Sequence, residues 1–410
     1  MADSYTRGAR ILSVGIATTG VVTFAYFAVA SHVLDAVEYK GVSLLWALMF
    51  VIVSVIYRPI EQLLSRSIAE RRALGQESHP LRTPLTLQAG FALAFLAVAL
   101  PLRPYLEEDV FDGSATLYWV LVGGVLAYAA SYFARGWLAG NQRFGLYGGL
   151  VLFESCSRFL FPLAVALGIA DGQDVVALGI LAAPFVSLVV VPWALSRRAE
   201  PAPSDAASSL RAGGGFALAV FLVMLAEQTL LNAAVLTVDA TSEDPALAGF
   251  VFNVLLITRA PLQLFQAVQT SLLPHLAGLN ATEGDAEFAR AIRVTLLAIA
   301  GFAGAVALGL LAVGPWAMDL LFGGDFDYAR GGLALVALGM GCHLAAGTLN
   351  QAALARGRQR LAAGAWAVAA TAFVVWLLLP VVDDEVLRVE AGYLGATALL
   401  CALLALIERR

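Results

Sequence analysis

Long apolar runs separated by short polar breaks dominate this chain from end to end. A helix of about 20 apolar residues rises far enough to cross the roughly 30 Å hydrocarbon core of a bilayer. Lipid offers the backbone no hydrogen-bond partners, so such runs predict helices that satisfy their own N–H and C=O groups. The alternating segments of about ten residues that a membrane barrel needs are absent. Twelve spans are predicted, at about 11–31, 41–57, 85–102, 115–134, 146–168, 175–195, 214–236, 246–273, 292–314, 329–350, 361–382 and 389–407. The second is expected to continue as an amphipathic helix through Arg58-Pro59-Ile60-Glu61 to about Arg72. The first carries Arg7 and Arg10 ahead of it and an Ala28-Val29-Ala30 that mimics a signal-peptidase site. Its length and the spans that follow predict a retained helix.

Composition agrees: 60% of the 410 residues are hydrophobic and only 13% are charged, which sets the chain apart from soluble domains. The fold class read from this pattern is all-α, a polytopic membrane protein of about twelve helices. Charge placement tests the map, because Lys and Arg gather in cytoplasmic loops. With the N-terminus inside, 19 of the 25 basic residues fall in inner segments; Lys40, Arg103, Arg330 and Arg388 fall outside, and Arg158 and Arg259 fall within spans. Both termini are therefore predicted to be cytoplasmic, in the inner membrane. The net charge of −5 gives no reason to expect nucleic acid, since many acids sit in predicted outer loops such as Glu107-Glu108-Asp109. Cys156, Cys342 and Cys401 all lie within spans, with no spacing that suggests a disulfide framework or a metal site.

The chain repeats itself once. Arg197-Arg198-Ala199-Glu200-Pro201-Ala202-Pro203-Ser204-Asp205 and the Gly/Ser-rich residues after it read as a cytoplasmic linker. This divides the chain into an N-terminal six-helix lobe, 1–196, a linker, 197–213, and a C-terminal six-helix lobe, 214–410. A shift of 208 sets Gly41 on Gly249 and Glu61 on Gln269, and a shift of 217 sets Gly140-Asn141-Gln142-Arg143-Phe144 on Gly357-Arg358-Gln359-Arg360-Leu361. Two parallel, pseudo-symmetric bundles suit alternating access.

Three stretches carry a family resemblance. His32 to Gly41 looks like a Leu-x-x-x-x-Tyr-Gly turn, with Lys40 intervening between Tyr39 and Gly41. Arg135-Gly136-x-x-x-Gly140-x-x-Arg143-Phe144 follows the fourth span, and Arg259-Ala260-Pro261 with Leu273-Pro274 lies in the eighth. With the six-plus-six helices, these make the chain resemble the polysaccharide-transporter, or oligosaccharide flippase, branch of the multidrug/oligosaccharidyl-lipid/polysaccharide (MOP) exporter superfamily. The resemblance implies a flippase that moves a saccharide linked to polyprenyl pyrophosphate from the inner to the outer leaflet. H+ or Na+ would be the coupling ion, with no cofactor and no enzymatic chemistry. A cation-coupled antiporter of drugs or other amphiphiles shares the fold and is the alternative.

Ionisable residues inside spans are costly and usually face a cavity or a partner. Arg259 could grip a pyrophosphate by paired hydrogen bonds, or pair with Glu227 of the preceding span. Glu154 and Arg158, candidate substrate contacts, sit four residues apart on one helical face, which is also the spacing of a local ion pair. Glu227, Gln228 and Asn232 could bind a cation or sugar hydroxyls, or bond between helices. Arg58 could attract an entering anionic headgroup, or anchor its helix at the interface. Gln263, Gln266 and Gln269 form a polar stripe that suits a lumen wall or helix packing. His343 reads as a hydrogen-bonded packing residue. No Walker loop, His-Glu-x-x-His or Cys/His cluster occurs in the sequence, so neither an ATP motor nor a zinc enzyme is expected. An acidic cavity with Arg259 neutralised would favour the antiporter.

Overall fold

The computed structural model describes residues 2–73, 82–187, 189, 206–244, 246–257, 262, 285–323 and 327–409. Among these residues all regular structure is helical. In chain order the helices are α1 (Ala2–Val33), α2 (Ala36–Ala73), α3 (Arg82–Ala99), α4 (Ala115–Gly140), α5 (Phe144–Ala166) and α6 (Gly172–Ser187). Then follow α7 (Ala206–Thr241), α8 (Leu247–Ile257), α9 (Asp285–Phe322), α10 (Arg330–Ala355), α11 (Gln359–Leu378) and α12 (Glu385–Arg409). Eight are long and apolar enough to cross a membrane, a ninth span is bent, and three shorter apolar stretches lie at Thr18–Val33, Gly172–Phe185 and Leu247–Ile257. Each of the twelve predicted spans thus contains a helix.

Local chemistry moves several boundaries. The predicted outer turn at 32–41 shrinks to Leu34 and Asp35. Asp35 caps α2, its Oδ1 accepting the Glu38 N–H at 2.8 Å, so Tyr39-Lys40-Gly41 is helical rather than a turn. Lys40 is buried there and pairs with Asp112 at 2.6 Å. The third span is broken. Pro101 and Pro104 cannot donate to a helical ladder, and the chain bends by 69° between Pro84–Ala99 and Arg103–Val110. Of the predicted linker, the part from Ala206 onward is helical, and the remainder lies outside the described residues.

The chain divides into two compact units, residues 1–224 and 225–410, with the dividing point inside α7. In unit 1, α1 packs on α5 and α2 on α4, while α6 contacts α4 and α5. In unit 2, α10 packs on α9 and α12, and α12 contacts α11. The α4–α6 and α5–α6 contacts therefore recur as α10–α12 and α11–α12. The most enclosed helices are α2 and α4 in unit 1, each with 72% of its most apolar stretch buried, and α10 in unit 2, with 78%, against 17% for α9.

Backbone geometry corrects the register of the repeat. Asn141, Gln142 and Arg143 donate their N–H groups to Trp137, Ala139 and Leu138, while Arg356, Gly357 and Arg358 donate theirs to Ala352, Leu354 and Ala353. Gln142 and Gly357 both take positive φ, 56° and 71°. The two loops match at a shift of 215, not 217, and the same shift carries Ala115–Gly140 onto Arg330–Ala355.

Candidate functional site

Unit 1 buries a charged cluster between four helices. On α4, Tyr128, Ser131, Tyr132 and Arg135 recur at spacings that keep them on one face. On α5, Tyr147, Glu154 and Arg158 do the same. The two faces meet at Glu154, which is 3% exposed. Ser131 donates its hydroxyl to Oε1 of Glu154, and the Arg135 guanidinium pairs with Oε2. Both carboxylate oxygens are therefore taken from α4. Arg135 also lies 4.5 Å from the centre of the Tyr132 ring. Toward the end of α5 that begins at Phe144, the Tyr147 hydroxyl donates to Glu61 Oε1 at 2.8 Å.

The predicted Glu154–Arg158 pair is not formed. With both oxygens of Glu154 occupied by α4, the Arg158 guanidinium turns to α1 and α2 instead. It donates to Thr23 Oγ1 at 3.1 Å, Ser155 Oγ at 3.3 Å and Tyr128 OH at 3.4 Å. Its guanidinium carbon sits 4.4 Å from the centre of the Trp46 ring, a cation–π contact, with Tyr26 on a second side. Arg158 is 3% exposed, and among the described residues no acid forms an ion pair with it. A row of rings, Trp46 stacked on Phe50 at 3.9 Å and Phe50 against Tyr128 at 5.7 Å, completes the wall. The result is a buried cluster of two guanidinium groups and one carboxyl, Glu154, with a second acid, Glu61, held by Tyr147.

Close helix contact makes the cluster possible. A Cβ on Gly136 would lie 2.8 Å from the Glu61 carbonyl oxygen, and one on Gly140 would lie 2.7 Å from Ile68 Cβ. These two glycines, four apart, let α4 approach α2 at the backbone, as small residues do between membrane helices.

The remaining predicted residues are dispersed. Arg58 is half-buried on α2, with Nη1 3.9 Å from Met224 Sδ. Glu227 is half-buried on α7. Asn232 donates to the backbone oxygen and side-chain Oε1 of Gln228 at 3.1 and 3.2 Å, a bond along one helix. Arg259 and Gln266 lie outside the described residues, as do Gln263 and Gln269. Sequence reasoning missed Arg135, which it assigned to an inner loop, and the roles of Tyr147, Trp46 and Tyr128. The seven-residue spacing of Tyr128 and Arg135, matched by that of Tyr147 and Glu154, was the available signal.

Unit 2 holds polar groups of another kind. His343, 2% exposed, shares a hydrogen bond of 3.1 Å between its Nδ1 and the Tyr393 hydroxyl. Trp366 packs edge-on to the His343 ring and donates to Asn350 Oδ1 at 3.2 Å. The packing role read for His343 from sequence agrees with this bond. Outside the spans, burial pushes the Tyr328 hydroxyl above its ordinary range, opposed by the hydrogen bond from Asn253 at 3.2 Å. Among the described residues no three His, Cys, Asp or Glu side chains gather as a metal site.

No protein-family model matches the sequence. Two uncharacterized proteins of Mycobacterium tuberculosis are similar to it. One is 28% identical over 351 residues, 82% of this chain and 76% of its own length. The other is 27% identical over 320 residues, 75% and 69% of the two lengths. Among solved structures, an inward-facing multidrug resistance MATE family transporter of the MOP superfamily aligns with a TM-score of 0.71 at 12% identity, covering 100% of this chain and 94% of that one. The fold is that of a MATE transporter. A Vibrio cholerae MATE transporter, VcmN, gives 0.67 at 15% identity, covering 99% and 97%. The eukaryotic MATE transporter AtDTX14 gives 0.66 at 14%, covering 98% and 96%. This fold agrees with the all-helical, multi-pass architecture expected from the sequence.

Proposed function

We propose that this chain is an alternating-access transporter of the cytoplasmic membrane whose cargo is an anionic lipid-linked saccharide. The polyprenyl-pyrophosphate-linked class fits, moved from the inner to the outer leaflet as the two halves rock. The transporter reading rests on the MATE fold. The anionic cargo rests on one observation: Arg158 is buried with hydroxyls and an aromatic face around it and, among the described residues, no carboxylate paired to it. An unpaired cation is expensive to keep out of water unless an anion joins it for part of a cycle. A site for cationic drugs would need acids in surplus, and here the Glu154 charge is already neutralised by Arg135. Arg259 joins this proposal on sequence grounds as a second pyrophosphate contact.

Translocation of a polyprenyl-pyrophosphoryl oligosaccharide in liposomes containing the purified protein tests the reading. Arg158→Lys keeps the charge but loses the planar contact with Trp46 and the forked donors, and transport is expected to fall by about tenfold, the equivalent of about 1.4 kcal/mol. Arg259→Ala is expected to fall at least as far. Cation-driven efflux of small amphiphiles, with no saccharide movement, would replace this proposal with the antiporter.

A further inference from the structure

One buried ionisable group belongs to none of the networks described above. Glu390 lies in the second turn of α12 and is 3% exposed. Its carboxyl fills the notch left by the missing side chain of Gly332, in the first turn of α10: a Cβ on that glycine would overlap both carboxyl oxygens and the carboxyl carbon. Within the described residues no hydrogen bond or ion pair reaches the Glu390 side chain.

The charged groups around it are otherwise engaged or face outward. On α10, Arg330 is exposed, and further along that helix His343 bonds to Tyr393. The last turns of α11, Phe373–Leu378, carry no titratable side chain. In the connection to α12, Asp383 and Asp384 add negative charge, and Asp384 Oδ1 accepts the N–H groups of Val386 and Leu387. On α12 itself, Glu385 stands at the start of the helix. The Arg388 guanidinium is spent on the backbone oxygens of Val382 and Leu377, at 2.9 and 3.5 Å. Asp327, ahead of α10, is exposed.

We propose that Glu390 is a proton-binding site set into the α10–α12 contact, and that its proton is exchanged during transport. The second clause rests on the transporter reading; the first does not. A carboxylate held almost wholly out of water, with no partner among the described residues, is far less stable than the neutral acid. The N-terminal turn of α10 attracts an anion, but that attraction offsets only a fraction of the desolvation cost. The neutral carboxyl fits the Gly332 notch as it stands. Loss of the proton favours an arrangement in which α10 and α12 part at this end and admit water, so proton occupancy biases two conformations.

Infrared difference spectroscopy of the full-length protein in lipid, titrated with acid and base, reads the site directly. The expected result is a carbonyl band of a protonated carboxyl at neutral pH that is lost in Glu390→Gln and kept in Glu227→Gln. A spectrum unchanged by Glu390→Gln overturns the proton site. Gly332→Ala expels the carboxyl from its notch and is expected to remove the same band at neutral pH. A band that survives this change would show that the notch is not what holds the proton. For the second clause, saccharide translocation is compared with and without an imposed proton gradient. Wild-type protein is expected to respond, and Glu390→Gln to move cargo at a rate that no longer responds. A response that persists in Glu390→Gln overturns the exchange role. Failure of wild-type protein to move any saccharide counts against the transporter reading, and the infrared result still decides the site.

Discussion

α4 and α10 are the same helix twice, yet they bury opposite chemistry. Each is 26 residues long, each is followed by a loop of the same hydrogen-bond pattern, and 215 positions separate them throughout. At that shift Tyr128 corresponds to His343, Arg135 to Asn350 and Gly136 to Gln351; on the neighbouring helices Glu154 corresponds to Ala369 and Arg158 to Phe373. Unit 1 therefore has a charged centre where unit 2 has Ala369 and Phe373, both fully buried. The scaffold carries the packing, and a handful of positions on it decide whether a half buries charged or neutral groups.

Removing the charge from unit 1 should expose this difference most sharply. Glu154→Ala leaves Arg135 buried without its partner, and breaking a buried pair costs about 3–5 kcal/mol. The thermal unfolding midpoint of the detergent-solubilised protein should fall steeply. A loss no larger than that of Glu390→Gln would mean that the pair does not hold unit 1 together. Second in size is Gly136→Leu, which forces a side chain against the Glu61 backbone and should cost about 1–3 kcal/mol by overpacking. Its counterpart, Gln351→Ala, should leave the midpoint within the range of an ordinary half-buried substitution, about 0.5 kcal/mol. Equal effects would show that α2 and α4 do not depend on the close approach. Smallest are the paired changes Tyr128→Phe and His343→Phe. Each removes one hydrogen bond, worth about 1 kcal/mol. The two halves should differ in function, with saccharide transport reduced by Tyr128→Phe, which frees a guanidinium donor of Arg158, and untouched by His343→Phe.

The spans were legible because lipid permits so few backbone solutions; a run of apolar residues there is a helix, whatever its side chains pack against. The elbow after α3 was legible too, in Pro101 and Pro104, but the hydropathy of Leu100 and Leu102 masked it. Arg135 was hidden by its position near the Gly140 end of α4, since an arginine close to the end of a span normally anchors at the interface. Only the facing helix shows that its guanidinium turns inward to Glu154. The repeat register escaped because the two loops share shape rather than letters: Gln142 adopts the left-handed conformation that Gly357 takes at less cost. Glu390 left no pattern in the sequence at all, since its burial depends on the absence of a side chain at Gly332, 58 positions earlier.

The elbow has a bearing on which membranes suit this protein. α3 contains 18 residues, a rise of about 27 Å, which is slightly short of the roughly 30 Å hydrocarbon core. The chain then turns by 69° and runs more across than along, with Tyr105 and Trp119 exposed there as an aromatic belt would have them. A thick, ordered bilayer would have to thin locally around this corner, and a thinner one would meet it without strain. Hydrophobic mismatch at this proline-broken helix is therefore expected to favour a thinner bilayer, readable as an activity optimum across lipids of increasing acyl length.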